Sequence, residues 1–263
     1  MSEEAKAAFQ GFEDSGFLPR MRDLVMRHCA PFFWSTPQDA FKPPRLLHNG
    51  TICYADTGSR HIGITADHVY RQYLKDLEEH ESVHAQFGGS TIYPEKRLID
   101  RDRELDIATF DVPAIFVSSS KNPRIHHRPD IWPIPPLQRG EVVFFGGTPG
   151  ALREFKDLAT RLDQPFMVSG QIVHDVTKTN IVLHVDFSKM VRTGPEEIEL
   201  TENIGGMSGG PVFRMVPTRE RLDESRRGDI ELVGIIYEYY QSLGGLMARH
   251  IRHVNADGTL ARL

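Results

Sequence analysis

Alternating apolar and polar residues dominate the first half of the chain and predict short β-strands. Residues 51–55 and 61–65 flank a glycine-containing turn and predict a hairpin. Over residues 68–79 the apolar positions recur at helical spacing, which predicts one helix directly after the second strand. Alternation returns at residues 82–87 and 105–110. The first half is therefore predicted to be a small β unit that carries one helix.

The second half of the chain repeats the strand pattern. Residues 176–180 predict a hairpin turn, and the last residues predict a helix near the C terminus. The predicted strands are residues 142–145, 166–174, 181–187, 211–215, 232–237 and 246–250. The fold class expected from both halves is all-β, with two successive lobes.

Proline-rich stretches divide the chain. Residues 1–45 are predicted to form a tail, a short helix and a proline-rich strap, and residues 46–117 the first lobe. Residues 118–137 hold five prolines and predict a connector draped over the surface. Residues 138–263 then form the second lobe with its C-terminal helix.

The composition and charge of the chain argue against several classes of function. Among 263 residues, 31 basic and 36 acidic side chains give a net charge of −5, so no basic face for nucleic acid is indicated. No apolar run approaches the roughly 20 residues of a membrane span. Two cysteines, Cys29 and Cys53, cannot build a disulfide framework, and the first residues contain no apolar signal segment. A cytoplasmic protein is predicted.

Residues 203–213 carry the clearest chemical signal. Glycines surround Ser208 on both sides, so the backbone can turn sharply and direct several N–H groups at one point. This arrangement is typical of a serine nucleophile with an oxyanion hole. Because a serine hydroxyl is inert at its own pKa, it needs a histidine base and a carboxylate that orients that base.

Three sequence blocks supply such a set in one order along the chain. Residues 64–68 read Ile-Thr-Ala-Asp-His, residues 106–108 read Asp-Ile-Ala, and residues 206–211 read Gly-Met-Ser-Gly-Gly-Pro. With these blocks the chain resembles the chymotrypsin/trypsin-like serine peptidases, and the bacterial intracellular members more than the secreted ones. The resemblance implies two six-stranded antiparallel β-barrels with the active site in the cleft between them.

The resemblance also implies residue roles. Ser208 would be the nucleophile, His68 the general base and Asp106 the carboxylate that orients the imidazole. The backbone N–H groups of Gly206 and Ser208 would form the oxyanion hole. The expected activity is that of a serine endopeptidase acting on protein or peptide substrates, with no cofactor and no metal.

Two departures from the family pattern concern activation. Secreted members have an aspartate just before the serine, which pairs with a newly cut amino terminus, whereas this chain has Met207. The family's cysteine beside the catalytic histidine is replaced by Val69. We therefore expect an enzyme that is active as synthesised or is controlled by an unidentified regulator.

Substrate selection is expected to involve four residues. By the resemblance, Glu202 lies at the floor of the primary pocket, where its carboxylate would favour a substrate arginine or lysine. Tyr237, Tyr239 and Gly245 would form the pocket wall. Tyr239 could instead fill the pocket and admit only small side chains, so both specificities stay open.

Two other functions are alternatives to a serine endopeptidase. Residues 80–84, His-Glu-Ser-Val-His, match a zinc-protease motif that requires both histidines on one helical face. The helical period stops near residue 79, which disfavours that motif. The second alternative is a trypsin-like fold that acts as a non-catalytic binding or scaffold module.

Overall fold

Two antiparallel β-sheets, one from each half of the chain, make up most of the protein, and this confirms the all-β prediction. The computed structural model describes residues 23–36, 48–118, 126–129, 131–132, 134–150, 154–155, 162–163, 167–185, 190–192, 203–215 and 230–262. The statements below concern these residues.

The first sheet has seven strands in the order β5-β4-β1-β2-β3-β7-β6. They are β1 (Cys29–Ser35), β2 (His48–Asp56), β3 (His61–Thr65), β4 (His84–Phe87), β5 (Ser90–Ile92), β6 (Leu98–Asp102) and β7 (Ile107–Asp111). Within the described residues, no pairing joins the edge strands β5 and β6. The predicted first barrel is thus wrong in this respect, because the first lobe is an open, curled sheet.

A helix covers the concave core of this sheet. Helix α1 (Asp67–Glu79) packs on β2 and β7 and buries Val69, Tyr70 and Tyr73. Tyr73 meets the ring of Phe32 at a centroid distance of 6.0 Å. Because α1 removes this apolar surface from water, the sheet does not need to close on itself to form a core. A second short helix, α2 (Ala114–Ser118), follows β7.

The segment predicted as a strap begins instead with an inner strand. Residues 23–27 are helical, and β1 then pairs with β2 on one side and β4 on the other. Phe32 and Trp34 point into the core and are buried. Pro31 precedes the first residue paired with β4, so it does not interrupt that ladder. The prediction of a strap is wrong here because the burial of the apolar side chains and the two strand pairings outweigh the tendency of proline to interrupt a strand. Residues 37–47 lie outside the described part.

The second sheet closes into a barrel. Its strands are β8 (Val142–Gly147), β11 (Met167–Val176), β12 (Asn180–His184), β13 (Met190–Arg192), β14 (Pro211–Met215), β15 (Ile230–Tyr240) and β16 (Gly245–His250). They follow the order β12-β16-β15-β14-β8-β11-β13, and β11 also pairs with β12, which closes a six-stranded ring. Two short strands, β9 (Glu154–Phe155) and β10 (Leu162–Asp163), form a separate hairpin.

The predicted C-terminal helix is absent from the described residues after β16. A single 3-10 turn, Ile251–His253, is followed by a bridge between Val254 and Leu260. Between these two residues Gly258 has φ +88°, a left-handed conformation that reverses the chain. The turn-forming sequence Asn-Ala-Asp-Gly at 255–258 therefore prevails over helix formation. In the described part of the chain, no helix combines the length and apolar character needed to cross a membrane.

The two lobes share a continuous apolar interface. In β2, Ile52 and Tyr54 belong to the core of the first lobe, whereas Cys53 and Ala55 belong to the cluster that fills the second. The connector also enters this interface, because His127 is buried and its N–H donates to the carbonyl of Tyr54 at 2.9 Å. A connector draped only over the surface is thus contradicted at this point.

Candidate active site

His68 and Asp106 form a doubly bonded pair at the cleft. Asp106 Oδ1 accepts the backbone N–H of His68 at 2.7 Å, and its Oδ2 lies 2.7 Å from His68 Nδ1. A carboxylate can only accept, so Nδ1 carries the proton and Nε2 is left as a base. The His68 side chain is 40% exposed and that of Asp106 is 14% exposed, so the base is open to a substrate while its orienting carboxylate is shielded.

The turn before β7 directs Asp106 towards His68. Asp106 is in the left-handed region with φ +51°, and no other non-glycine residue in the described part has a positive φ. Asp102 supports the turn, because its Oδ1 accepts the N–H groups of Glu104 and Leu105 at 2.8 and 2.9 Å. Aspartate tolerates this conformation better than most residues, which allows a tight reversal directly before β7.

The Ser208 loop depends on glycines in left-handed conformations. Gly206 has φ +101° and Gly209 has φ +91°. A Cβ on Gly206 would lie 2.1 Å from Asn49 Nδ2, and one on Gly209 would lie 1.9 Å from the carbonyl oxygen of Thr51. No side chain fits at either position. The glycine pattern of the sequence is therefore explained by backbone conformation and close packing together.

Two backbone N–H groups of the Ser208 loop make no hydrogen bond within the described residues. The N–H of Met207 donates to Ile204 at 3.0 Å, and the N–H of Gly209 donates to Ile236 at 2.7 Å. Within the described part of the chain, the N–H groups of Gly206 and Ser208 have no acceptor. The resemblance implies that these same two N–H groups are the donors of an oxyanion hole.

The hydroxyl of Ser208 and the ring of His68 line one cavity, although no hydrogen bond joins them in the described residues. The cavity has a volume of about 650 Å³, and Asp106 also contributes to its wall. Ser208 Oγ instead donates to the carbonyl of Tyr237 at 3.4 Å, a long and weak bond. Catalytic hydrogen bonds are often long without substrate, so this geometry is compatible with a nucleophile and its base.

A buried threonine network holds the Ser208 loop against the first lobe, and sequence analysis did not identify it. Thr51 Oγ1 donates to the carbonyl of Gly206 at 2.9 Å and accepts the N–H of Thr148 at 3.0 Å. The N–H of Thr51 donates to the carbonyl of Ser208 at 2.8 Å. Both threonines have no exposed surface. The only sequence signal is that each follows a glycine, which is too common to be diagnostic.

The predicted substrate-binding residues have different outcomes. Tyr237 and Tyr239 line the cavity. Gly245 pairs with Tyr240 at the start of β16 and is not among the described residues of the cavity wall. Glu202 lies outside the described residues. Burial raises the pKa of Tyr237 above its usual value, so its phenol stays neutral.

An aspartate next to the histidine was not anticipated. The Asp67 side chain is fully buried and forms ion pairs with Arg71 Nε at 2.9 Å and Arg101 Nε at 3.0 Å. Burial raises the pKa of this carboxyl, and the two guanidinium groups partly offset that effect. This cluster anchors the start of α1, and therefore the position of His68, to strand β6.

The geometry required by the zinc-protease motif is not present. Helix α1 ends at Glu79, His80 is extended with φ −130°, and His84 begins strand β4. The two histidines therefore cannot share a helical face. In the described part of the chain, no group of three or more histidine, cysteine, aspartate or glutamate side chains is arranged to hold a metal.

Comparison with known proteins gives fold-level likeness at low identity. No family model matches the chain, and the search of curated proteins finds no match. Similar solved structures include the Rv3671c protease from M. tuberculosis in its active form, which is 11% identical over 90% of this chain and 82% of that chain, with a TM-score of 0.46. Another concerns the coupled folding and binding of the Sesbania mosaic virus VPg protein (13% identity, 87% of this chain, 94% of that chain, TM-score 0.44). The thermostable serine protease AL20 from an extremophilic microorganism is 12% identical over 85% of this chain and 91% of that chain, with a TM-score of 0.43.

Proposed function

We propose that this chain is a serine endopeptidase in which Ser208 is the nucleophile, His68 the general base and Asp106 the orienting carboxylate. One observation carries the proposal. Asp106 binds both the backbone N–H and Nδ1 of His68, and this fixes the tautomer and orientation of an imidazole that lines the same cavity as Ser208. This arrangement, with a partly exposed imidazole held by a shielded carboxylate, is the one that a catalytic base requires.

The proposed reaction begins when a peptide carbonyl enters the cavity. The Ser208 hydroxyl exchanges its bond to Tyr237 for one to His68 Nε2 and attacks the carbonyl carbon while its proton passes to the imidazole. The oxyanion is held by the open N–H groups of Gly206 and Ser208. His68 then protonates the leaving amine, and water hydrolyses the acyl-enzyme by the same steps in reverse order.

Primary specificity is proposed to involve Tyr237, Tyr239 and Glu202. If the carboxylate of Glu202 lies at the pocket floor, peptides with arginine before the scissile bond are cut best and Glu202→Ala removes that preference. If Tyr239 fills the pocket, cleavage follows small apolar residues and Glu202→Ala changes nothing. Profiling a peptide library with both proteins separates the two.

The proposed function is tested by reaction with a fluorophosphonate probe, followed by mass spectrometry of the labelled peptide. We expect one adduct on Ser208, lost in Ser208→Ala and retained in the matched variant of an exposed serine, Ser59→Ala. EDTA should not reduce labelling or peptide hydrolysis. An unlabelled protein that also fails to hydrolyse any library peptide contradicts the proposal.

A non-catalytic binding module is the second candidate. It is favoured by the bond from Ser208 Oγ to the carbonyl of Tyr237, because the hydroxyl has this partner and not His68 in the described residues. In that case the cleft would bind an extended peptide without cleaving it. Peptide binding with no probe adduct would support this candidate.

A further inference from the structure

A second cavity opens from the candidate active site on the side away from β15. It has a volume of about 520 Å³ and shares His68, Arg71 and Ser208 with the first cavity, but it contains no residue of β15. The first cavity holds Tyr237 and Tyr239, which by the resemblance belong to the pocket for the residue before the scissile bond. The second cavity therefore lies where the leaving part of a peptide would extend.

The wall of this second cavity is basic. Helix α1 contributes Arg71, Gln72 and Lys75, which lie within about one helical turn of each other, and none of the described lining residues is acidic. Arg71 is 35% exposed and its ion pair with Asp67 is made through Nε. The Lys75 side chain is 63% exposed and lies 3.8 Å from an equally accessible Glu79, a pair that solvent and salt weaken strongly.

Apart from the exposed Glu79, the carboxylates of α1 near this wall, Asp67 and Asp76, are buried and already accept hydrogen bonds or ion pairs. Asp67 is fully buried between Arg71 and Arg101. Asp76 accepts from Trp34 Nε1 at 2.6 Å and from Gln72 Nε2 at 3.1 Å. The charged side chains that line the cavity are therefore Arg71 and Lys75, whereas Asp67 and Asp76 are buried and Glu79 does not line it, although the nearby charges are balanced overall.

Two aromatic rings, those of His48 and Trp34, line the cavity next to α1. His48 stacks on Trp34 with a centroid distance of 5.5 Å and an interplanar angle of 14°. His48 Nε2 also lies 3.7 Å from Asp76 Oδ2. A peptide segment lying along this wall would place its own side chain beside Arg71 and Lys75.

We propose that this cavity is a subsite for an aspartate or glutamate side chain in one of the two residues that follow the scissile bond. The inference rests on the proposed peptidase function and adds a substrate class to it. A guanidinium and an ammonium group four residues apart on a helix match a carboxylate placed between them, and an amide in the same place would gain less because it carries no charge. Selectivity would decline as the salt concentration rises.

The test uses purified full-length protein and peptides that are identical before the scissile bond and differ in carrying glutamate, glutamine or lysine after it. We expect kcat/KM for glutamate to exceed that for glutamine by roughly tenfold at low salt, with lysine lowest. Lys75→Glu should reverse the order of glutamate and lysine. Its matched control, Lys96→Glu, makes the same charge change at an exposed site that lines neither cavity and should preserve the order.

Arg71 is tested by Arg71→Lys, which retains the charge and a partner for Asp67. It should keep a reduced glutamate preference, and circular dichroism verifies that the variant is folded. Equal rates for glutamate and glutamine in the unmodified protein, or an unchanged order in Lys75→Glu, would overturn the subsite. Binding of peptides that begin with glutamate or glutamine to Ser208→Ala separates the two proposals. A glutamate preference in binding without any hydrolysis supports the subsite and contradicts the peptidase, whereas hydrolysis without a preference does the reverse.

Discussion

Arg249 donates a hydrogen bond from Nε to the main-chain carbonyl of Leu105 at 2.8 Å. This bond crosses from β16 of the second lobe to the turn of the first lobe that ends in Asp106. Arg249 also donates from a terminal nitrogen to the carbonyl of Glu104 at 2.9 Å and lies 4.2 Å over the ring of Tyr237. One side chain therefore supports both the turn that directs Asp106 and the residue whose carbonyl accepts from Ser208.

Arg249→Met is expected to slow probe labelling and lower kcat by roughly 10- to 100-fold. The carbonyl groups of the turn lose two hydrogen-bond donors, so Asp106 is no longer held in position against His68. Arg249→Lys should recover part of the rate, since it can still bond one carbonyl. The labelling rate as a function of pH provides the measurement. Arg252→Met is the control, because Arg252 donates to the carbonyl of Lys178 and does not line the cavity. Equal rates in all three variants would show that the turn holds Asp106 by itself.

Ser208→Ala should lower the chemical step by about 10⁶ without unfolding the protein, as expected for loss of a triad nucleophile. Asp106→Asn should cost roughly 10⁴, because an amide stabilises the wrong tautomer of His68. Steady-state hydrolysis and thermal unfolding provide the measurements. A rate of hydrolysis in Ser208→Ala close to that of the unmodified protein would show that Ser208 is not the nucleophile.

Acid should destabilise the fold through His127. Burial lowers the pKa of His127 to about 3, and its Nε2 accepts the N–H of Leu232 at 3.3 Å. In the unfolded chain the His127 imidazole binds a proton as the pH falls below about 6.5, whereas in the folded chain it stays neutral until about pH 3. The free energy of unfolding is therefore highest above about pH 6.5 and declines as the pH falls towards 3. Each pH unit in that window should cost about 1.4 kcal/mol.

Urea unfolding at pH 7, 6, 5 and 4 measures this dependence. His127→Gln should flatten it, because an amide oxygen can accept from Leu232 without titrating. The exposed His174 provides the control, and His174→Gln should leave the slope unchanged. A slope identical in both variants would assign the acid sensitivity to other groups.

Thr51→Val should reduce the free energy of unfolding by about 1–3 kcal/mol, because the buried carbonyl of Gly206 and the N–H of Thr148 lose their shared partner. Labelling of Ser208 should also slow, since this network positions the loop. Denaturant unfolding and probe kinetics measure the two effects. Thr91→Val, on the exposed edge strand β5, is the control for the same substitution. A stable variant with slow labelling would show that Thr51 acts on the loop alone.

The elements that depend on local pattern could be predicted from the sequence. Residue spacing indicates which side of a strand or helix meets the core. The positions of β2, β3, β14 and α1 therefore agree closely with the predictions. Glycines beside Ser208 indicated a backbone that other residues cannot adopt, and φ values of +101° and +91° confirm this at Gly206 and Gly209. The pairing of His68 with Asp106 was implied by the family resemblance, and the two side chains are in contact in the structure.

Other features depended on which distant residues share the interior. Thr51 bonds residues 97 and 155 positions away, and Arg249 bonds residues 144 and 145 positions away, separations that no local pattern reports. Strand β1 formed despite Pro31 because both its ladders and its aromatic side chains found partners in the sheet. The first sheet stayed open because α1 covered its core, while β11 and β12 closed the second. The sequence by itself determined the local conformations and the types of reactive side chain. Tertiary packing decided which strands pair and which side chains contact each other, because the free energy of burial is shared among residues far apart in the chain.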